Sequence, residues 1–380
     1  MRKLAVGIMS GTSLDGIDVL IGYIEGYYKD TKIDVVDFKT YPLTEPLKLK
    51  IRNAIGNKLS ISELTSLNFE IAYRISDCIK DMLSNLDDIS YDDVDFIASH
   101  GQTIYHIPTD NDNNIKSTLQ LGAGSVIANE LGILTISNFR EADMAVGGQG
   151  APLVPYADYI LFSNKNINRI MLNIGGISNI TFLKKNGSLD EVIAFDIGPG
   201  NMMIDYMVMK LYGKSFDKNG NIAKSGKVHP KLLNELLDNP YFHQLPPKTT
   251  GREQFGDHYC EYLLNKYNDV KKEDIIHTLT YMVSKLIKDG CIMVTKEPFE
   301  IIASGGGARN AFMMELLKQQ IKDIGTLSLS SDYDIDVDAK EALAFMILGN
   351  ETLMGNPSNV PSATGAKKPV ILGQISKNIK

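Results

Sequence analysis

Val6-Gly-Ile-Met-Ser-Gly-Thr-Ser-Leu-Asp-Gly-Ile-Asp-Val19 carries an apolar strand, a turn of glycines and hydroxyl residues, and two acids within fourteen positions. Gly11 and Gly16 let backbone approach a ligand closely. Ser10, Thr12 and Ser13 can donate to phosphate oxygens, and Asp15 and Asp18 can hold Mg²⁺ through water. The same residue types also build an ordinary hairpin turn between Leu4–Met9 and Ile17–Ile24. At this point both readings stand, and the rest of the chain has to separate them.

Outward from this stretch, the pattern predicts strands over 3–9 and 16–25 and a third near Ile33–Thr40. Ile61, Leu64, Leu67, Ile71, Ile75, Ile79, Met82 and Leu86 then recur at three- and four-residue steps, one apolar stripe along a helix of about seven turns. Asp95–Ser99 reads as a buried strand running into His100-Gly-Gln-Thr103, and Leu119–Leu121 as a short strand before a helix near Ser125. The plan recurs loosely in the second half. Arg169–Ile174 and Ile180–Leu183 flank Gly175-Gly-Ile-Ser-Asn179, and Phe299–Ser304 runs into Gly305-Gly-Gly-Ala-Arg-Asn310. Two copies of a mixed α/β unit, each opening on a phosphate-type hairpin, imply a duplicated two-domain α/β architecture with the ligand in a central cleft. The expected boundary lies near residue 130, giving an N-terminal domain 1–130, joined by 362–380, and a C-terminal domain 131–361. The glycine-rich stretch Ser137–Gly150 is then expected at the cleft.

Composition narrows the function classes. The chain has 380 residues, enough for two cores, and with 43% hydrophobic and 22% charged residues and no long uncharged apolar run it reads as soluble, cytoplasmic and globular. No signal peptide or membrane span is visible. A net charge of −7 and the lack of any Lys/Arg block argue against nucleic acid as the partner. The first strand starts at residue 3, which leaves no room ahead of it for a helix-turn-helix. Cys78, Cys260 and Cys291 are widely spaced and read as reduced core residues. Only seven arginines stand against thirty-two lysines, yet Arg140, Arg252 and Arg309 all fall in polar or glycine-rich loops, where the guanidinium fork can serve carboxylate or phosphate.

Several standard motifs are missing: no G-x-x-x-x-G-K-[ST], no G-x-G-x-x-G after a strand, no G-x-S-x-G and no H-E-x-x-H. Chemistry must come from dispersed loops. Glu191–Phe195 is a strand that delivers Asp196 at its carboxyl end, and Gly198-Pro-Gly-Asn201 opens the helix Met202–Leu211. A carboxylate there can accept a proton beside amides that face a phosphate; capping the helix is its plainer use. The three glycines of Ser304-Gly-Gly-Gly-Ala-Arg-Asn310 suit a pressed adenine or ribose, or else a tight strand-to-helix connection. Glu341, in the first turn of the helix after Ala339, reads from chemistry alone as a complement to the helix dipole.

Together these segments resemble the anhydro-N-acetylmuramic acid kinases. The likeness is carried by Gly7–Asp18, His100–Thr103, Asn138–Leu153, Asn173–Asn179 and Phe195–Asn201, and extended by Pro246–Glu253, Lys340–Phe345 and Val360–Ala366, collinear over nearly the whole chain. The resemblance implies an actin-like, hexokinase-type ATPase fold built from two ribonuclease H-like domains. It also implies a reaction in which water opens the 1,6-anhydro bridge at C1 while the freed O6 takes the γ-phosphate of Mg-ATP. By position, Asp196 becomes the base that activates water, with Glu341 as a second catalytic candidate in contact with the sugar. ATP would be held by Gly11, Thr12, Ser13, Leu14, Asp15, Gly16, Ile17 and Asp18, by Gly175, Gly176, Gly198, Gly200 and Asn201, and by Gly305, Gly306, Gly307 and Asn310. Gln102, Thr103, Arg140, Asp143 and Gln149 would meet the sugar, and Asp15 and Asp18 the metal. One departure is Ile197, where the family usually carries threonine, so a hydroxyl contact is expected to be lost. The partners implied are the sugar and ATP, with a second copy of the chain left open and neither nucleic acid nor membrane involved. A kinase of the same fold for a levoglucosan-like sugar or a free hexose is the alternative, and a non-catalytic ATP-binding sugar sensor stands further off.

Overall fold

The computed structural model describes residues 2–11, 14, 16–246 and 248–377. The chain divides into two units, Met1–Leu161 with Ala339–Lys380, and Phe162–Asp338.

In the first unit the opening stretch is indeed a hairpin. β1 (Arg2–Ser10) pairs antiparallel with β2 (Gly16–Glu25), which pairs antiparallel with β3 (Lys32–Pro42). On its other side β1 runs parallel to β4 (Val94–Ile107), which pairs with β5 (Ser117–Leu121) and runs parallel to β6 (Thr135–Ser137); Gln374–Ser376 closes the far edge. Among the described residues this makes a seven-stranded sheet. From Leu4 onward β1 is buried throughout, as a central strand covered on both faces must be. Leu4, Val6 and Ile8 join a core with Leu67, Ile71, Ile75, Ile79 and Met82 of the helix Ile61–Ser84, so the apolar stripe predicted from sequence is the buried face from Leu67 to Met82, while Ile61 is 86% exposed and Leu86 lies past the helix end. Ser60 and Glu63 close a capping box at its start. The alternate face of β1 lies under the helix Lys340–Leu353, where a Cβ on Gly7 would overlap the Ala342 carbonyl.

The second unit repeats the order. β7 (Asn168–Ile174) is central, β8 (Ile177–Leu183) and β9 (Ile193–Pro199) follow antiparallel on one side, and β10 (Phe299–Ser304) and β11 (Gly325–Leu329) run parallel on the other. Its core gathers Ile170, Leu172 and Ile174 with Phe195, Ile197 and the helices Asn201–Tyr212 and Lys272–Val294. The order β3-β2-β1-β4-β6 in the first unit thus matches β9-β8-β7-β10-β11 in the second, each with an antiparallel second strand, and the duplication expected from the sequence is present.

The unit limits differ from the expected 130/131 and 361/362. β6 at 135–137 completes the first sheet, and the helix Lys340–Leu353 packs on β1, β2 and β4, so both segments belong to the first unit. Cys78, Cys260 and Cys291 are buried free thiols. No helix among the described residues is long and apolar enough to cross a membrane.

Candidate active site

β9 carries Asp196 to its carboxyl end, as the sequence implies, and a segment from elsewhere in the second unit fixes it there. Thr249 Oγ1 donates to Asp196 Oδ2 at 2.7 Å and the Thr250 amide donates to the same oxygen at 3.1 Å. The Asp196 amide donates to the Lys248 carbonyl at 3.1 Å, and Tyr241 Oη donates to the Asp196 carbonyl at 2.7 Å. Among the described residues no donor meets Oδ1. Burial pushes the Asp196 carboxyl above its ordinary range, helped by Glu253, while the Thr249 hydroxyl and Thr250 amide pull it back. The carboxylate is therefore clamped by one oxygen and open at the other, which suits a base. Its clamp comes from Pro246–Glu253, a segment the sequence marked only by resemblance. The Thr-Thr pair ahead of Gly251 was the available signal.

The glycines around Asp196 sort by what a side chain would meet. A Cβ on Gly198 would come within 2.7 Å of the Phe242 ring, one on Gly200 within 2.5 Å of the Gly175 carbonyl, and one on Gly305 within 3.0 Å of the Ile174 carbonyl; one on Gly307 would overlap the Ile174 side chain. At these four positions the protein itself excludes a side chain. A Cβ on Gly306 would meet nothing within 4 Å, and those on Gly175 and Gly176 would make only ordinary contacts at 3.5 and 3.7 Å. At the start of the helix Asn201–Tyr212 the amides of Gly200, Asn201 and Met202 are already engaged. Gly200 and Met202 donate to the Gly176 carbonyl at 2.8 and 3.2 Å, and Asn201 donates to that of Gly175 at 2.8 Å. The β7–β8 turn thus caps the helix from within the unit. Asn310 accepts from the Met313 amide at 3.0 Å as the cap of Ala311–Ile321. Ile197 is 3% exposed and faces Gly290 on the helix Lys272–Val294, the opposite side of the strand from Asp196. Alternation along the strand, not the loss of a ligand contact, explains an apolar residue there.

In the first unit, Thr12, Ser13 and Asp15 lie outside the described residues. Leu14 and Ile17 are buried in the core, and a Cβ on Gly16 would come within 2.7 Å of Thr40 on β3. Asp18 accepts from Thr40 Oγ1 at 2.6 Å. Gln102, completely buried, holds the loop from below: Oε1 accepts from Ser10 Oγ at 2.6 Å, and Nε2 donates to the Gly11 carbonyl at 3.3 Å. Thr103 accepts from Gln120 at 3.2 Å and is only partly buried.

Arg140 is locked by two bonds. Its Nε donates to His100 Nε2 at 3.1 Å and its Nη1 to the Gly150 carbonyl at 2.7 Å; Nη2 takes part in neither. His100 Nδ1 in turn donates to the Gly101 carbonyl at 2.8 Å, which fixes the tautomer, since only Nε2 is left to accept. Burial, and next the neighbouring guanidinium, push His100 down to about 3, so it is neutral at working pH. Burial also draws Arg140 down to about 10, against the pull of Glu341 and Asp143. Asp143 is 0% exposed. It accepts from the Gly150 amide, Asn359 Nδ2 and Thr364 Oγ1, each at 2.8 Å, and so ties the turn 143–150 to the segment 359–364. The Gln149 amide donates to the Thr364 carbonyl at 2.8 Å. Glu341 stands in the first turn of the helix Lys340–Leu353, where burial pushes its carboxyl up against the pull of Lys340 and Arg140. Arg309, by contrast, spends its fork on Asp338 at the surface.

The sequence model of the family described as "Anhydro-N-acetylmuramic acid kinase" matches residues 3–378. A protein of that name from Clostridioides difficile (strain 630) is 44% identical over 376 residues, covering 98% of each chain. One from Francisella tularensis subsp. novicida (strain U112) is 45% identical over 379 residues, again 98% of each. One from Bacillus cereus (strain AH820) is 44% identical over 375 residues, covering 97% of this chain and 98% of its own.

Proposed function

The chain belongs to the anhydro-N-acetylmuramic acid kinase family, and on that premise we propose that it works on the family's substrate with the residues described above. It is an ATP-dependent phosphotransferase with the two-unit α/β fold of the actin-like, hexokinase-type ATPases. It converts 1,6-anhydro-N-acetylmuramic acid, water and ATP into N-acetylmuramic acid 6-phosphate and ADP, a step of cell-wall sugar recycling carried out in the cytoplasm.

The observation that carries this mechanism is the asymmetric hold on Asp196, with two donors on Oδ2 and none among the described residues on Oδ1. Oδ1 takes a proton from water as the water oxygen bonds to C1 and the C1–O6 bond breaks. The freed O6 bonds to the γ-phosphorus, and ADP leaves. A raised Asp196 is a stronger base than an exposed aspartate. Gly175, Gly176 and Gly306, the glycines with open surroundings, are where backbone can lie against the nucleotide. Arg140, with Nη2 outside its two internal bonds, pairs with the lactyl carboxylate, and Glu341 meets the sugar as the second carboxylate. Gln102 and Asp143 act one step back, holding the loops that make these contacts.

Mg²⁺ fits the donors present. With ATP it keeps waters and phosphate oxygens and asks a protein for only one or two carboxylates. Asp18 is such a ligand, with Asp15 beyond the described residues as its companion; no cluster of three His, Cys, Asp or Glu occurs among the described residues. When bound, the ion neutralises charge on the transferring phosphoryl group.

Reaction in ¹⁸O-water tests the mechanism. Label on C1 of the product is expected, and unlabelled product would mean a simple hydroxyl kinase. Asp196→Asn should bind ATP and fail to turn over, and substantial residual turnover would falsify its role as base.

A further inference from the structure

Beside Glu341 lies an ion pair that the reaction above does not use. Lys340 Nζ sits 2.9 Å from Asp158 Oδ1, with side chains only 6% and 3% exposed. Asp158 comes from the helix Val154–Phe162, three residues before the first unit ends at Leu161, and Lys340 is the residue after Ala339, where the chain re-enters that unit. Asp158 Oδ1 accepts no hydrogen bond of good geometry, so the carboxylate is held by charge more than by direction. Burying such a pair is costly, and apolar residues of similar volume often serve stability as well or better. Stability alone therefore does not account for it.

Its placement does. Lys340 and Glu341 are consecutive in the first turn of one helix, so whatever fixes Lys340 fixes the backbone that carries Glu341. The charged groups that act on Glu341 are Lys340 on its own helix, Arg140 from the helix Phe139–Ala145, and Asp158 from the helix Val154–Phe162; His100, bonded to Arg140, is neutral. We propose that the buried Lys340–Asp158 pair is a positioning element for Glu341: Asp158 anchors Lys340, and Lys340 holds its cation and the first helical turn beside this carboxylate. The proposal rests on the reading that places Glu341 in the reaction, and the test below separates the two. Burial works against the ionised form of Glu341, and Lys340 opposes burial more strongly than Arg140 does, while Asp158 works in the other direction.

The two partners are thus expected to act on Glu341 with opposite sign, which a purely mechanical clamp would not do. Glu341 is titrated in protein labelled with ¹³C at the glutamate carboxyls, with Glu341→Gln identifying its resonance, and the acidic limb of kcat is measured alongside. Lys340→Met should raise the Glu341 titration midpoint and lower kcat several-fold on the acidic limb. Asp158→Asn should lower the midpoint and extend activity to lower pH. KM for ATP should change less than twofold in both. If Lys340→Met does not fold, Asp158→Asn/Lys340→Met removes both charges and should still raise the midpoint, by less, because the Lys340 effect is the larger. Midpoints that stay put, or move the same way in both single variants, overturn the proposal. Midpoints that move as expected while kcat keeps its limb uphold the pair and remove Glu341 from the reaction.

Discussion

Thr249→Val deletes one hydroxyl and nothing else from the clamp on Asp196. The lost bond is the 2.7 Å donation to Oδ2; the Thr250 amide stays on that oxygen at 3.1 Å. A hydrogen bond to a charged group contributes about 1.5–3 kcal/mol net. Thr249 is exposed, so water replaces part of it, and about 1 kcal/mol is the loss to expect. Since one pKa unit is about 1.4 kcal/mol, the Asp196 carboxyl should rise by about 0.7 unit. The sign follows from the species involved: the hydroxyl favours the ionised form, and removing it favours the protonated, inactive form. In a pH profile of kcat/KM the acidic limb should move up by about 0.7 unit, costing about fivefold in rate well below the limb and nothing on the plateau. Thr249→Ser should leave the limb in place. A limb that does not move in Thr249→Val, with the plateau intact, would refute the assignment of Asp196 as the titrating base.

The other expected outcomes concern the supports of the site. His100 titrates near 3 when folded against 6.5 for a free histidine, so the native state binds fewer protons across that window and stability falls as pH drops from 6.5 toward 3. Between pH 7 and 5 the wild type should lose about 2 kcal/mol more than His100→Gln in urea unfolding, with the similarly depressed His106 contributing to both proteins. Asp143→Ala strands three donors, from Gly150, Asn359 and Thr364, and should cost about 3 kcal/mol or more at neutral pH. Gly307→Ala must overlap Ile174 and should cost about 1–3 kcal/mol, whereas Gly306→Ala should stay within about 0.5 kcal/mol and instead weaken ATP binding by calorimetry.

Much of the fold was legible because hydrophobic period and turn chemistry are local. The stripe from Leu67 to Met82, the hairpin around Gly11–Gly16 and the strand delivering Asp196 were all readable from neighbours in sequence. The unit limits were not, because β6 and the helix Lys340–Leu353 join the first sheet by contacts more than 30 residues from their own neighbourhoods. The site divided the same way. Asp196 was visible from its place on a strand, but Thr249 and Thr250, some fifty residues on, carry no pattern that points back to it. His100 and Arg140, forty residues apart, meet only in the folded chain.

That division bears on how motif residues should be assigned. A glycine-rich loop invites the inference that every glycine faces the ligand, yet Gly198, Gly200, Gly305 and Gly307 each exclude a side chain because protein already occupies the space. The polar residues split in parallel. Gln102 and Asp143 spend their bonding capacity inside the first unit, while Arg140 keeps Nη2, and Asp196 keeps Oδ1, outside the internal bonds that hold them. Residues with their capacity spent set where a loop lies; residues with capacity in reserve can change partners during a reaction. Substitutions of the first kind should therefore register in unfolding free energy and those of the second in turnover or affinity. Gly307→Ala beside Gly306→Ala puts that distinction to trial within a single loop.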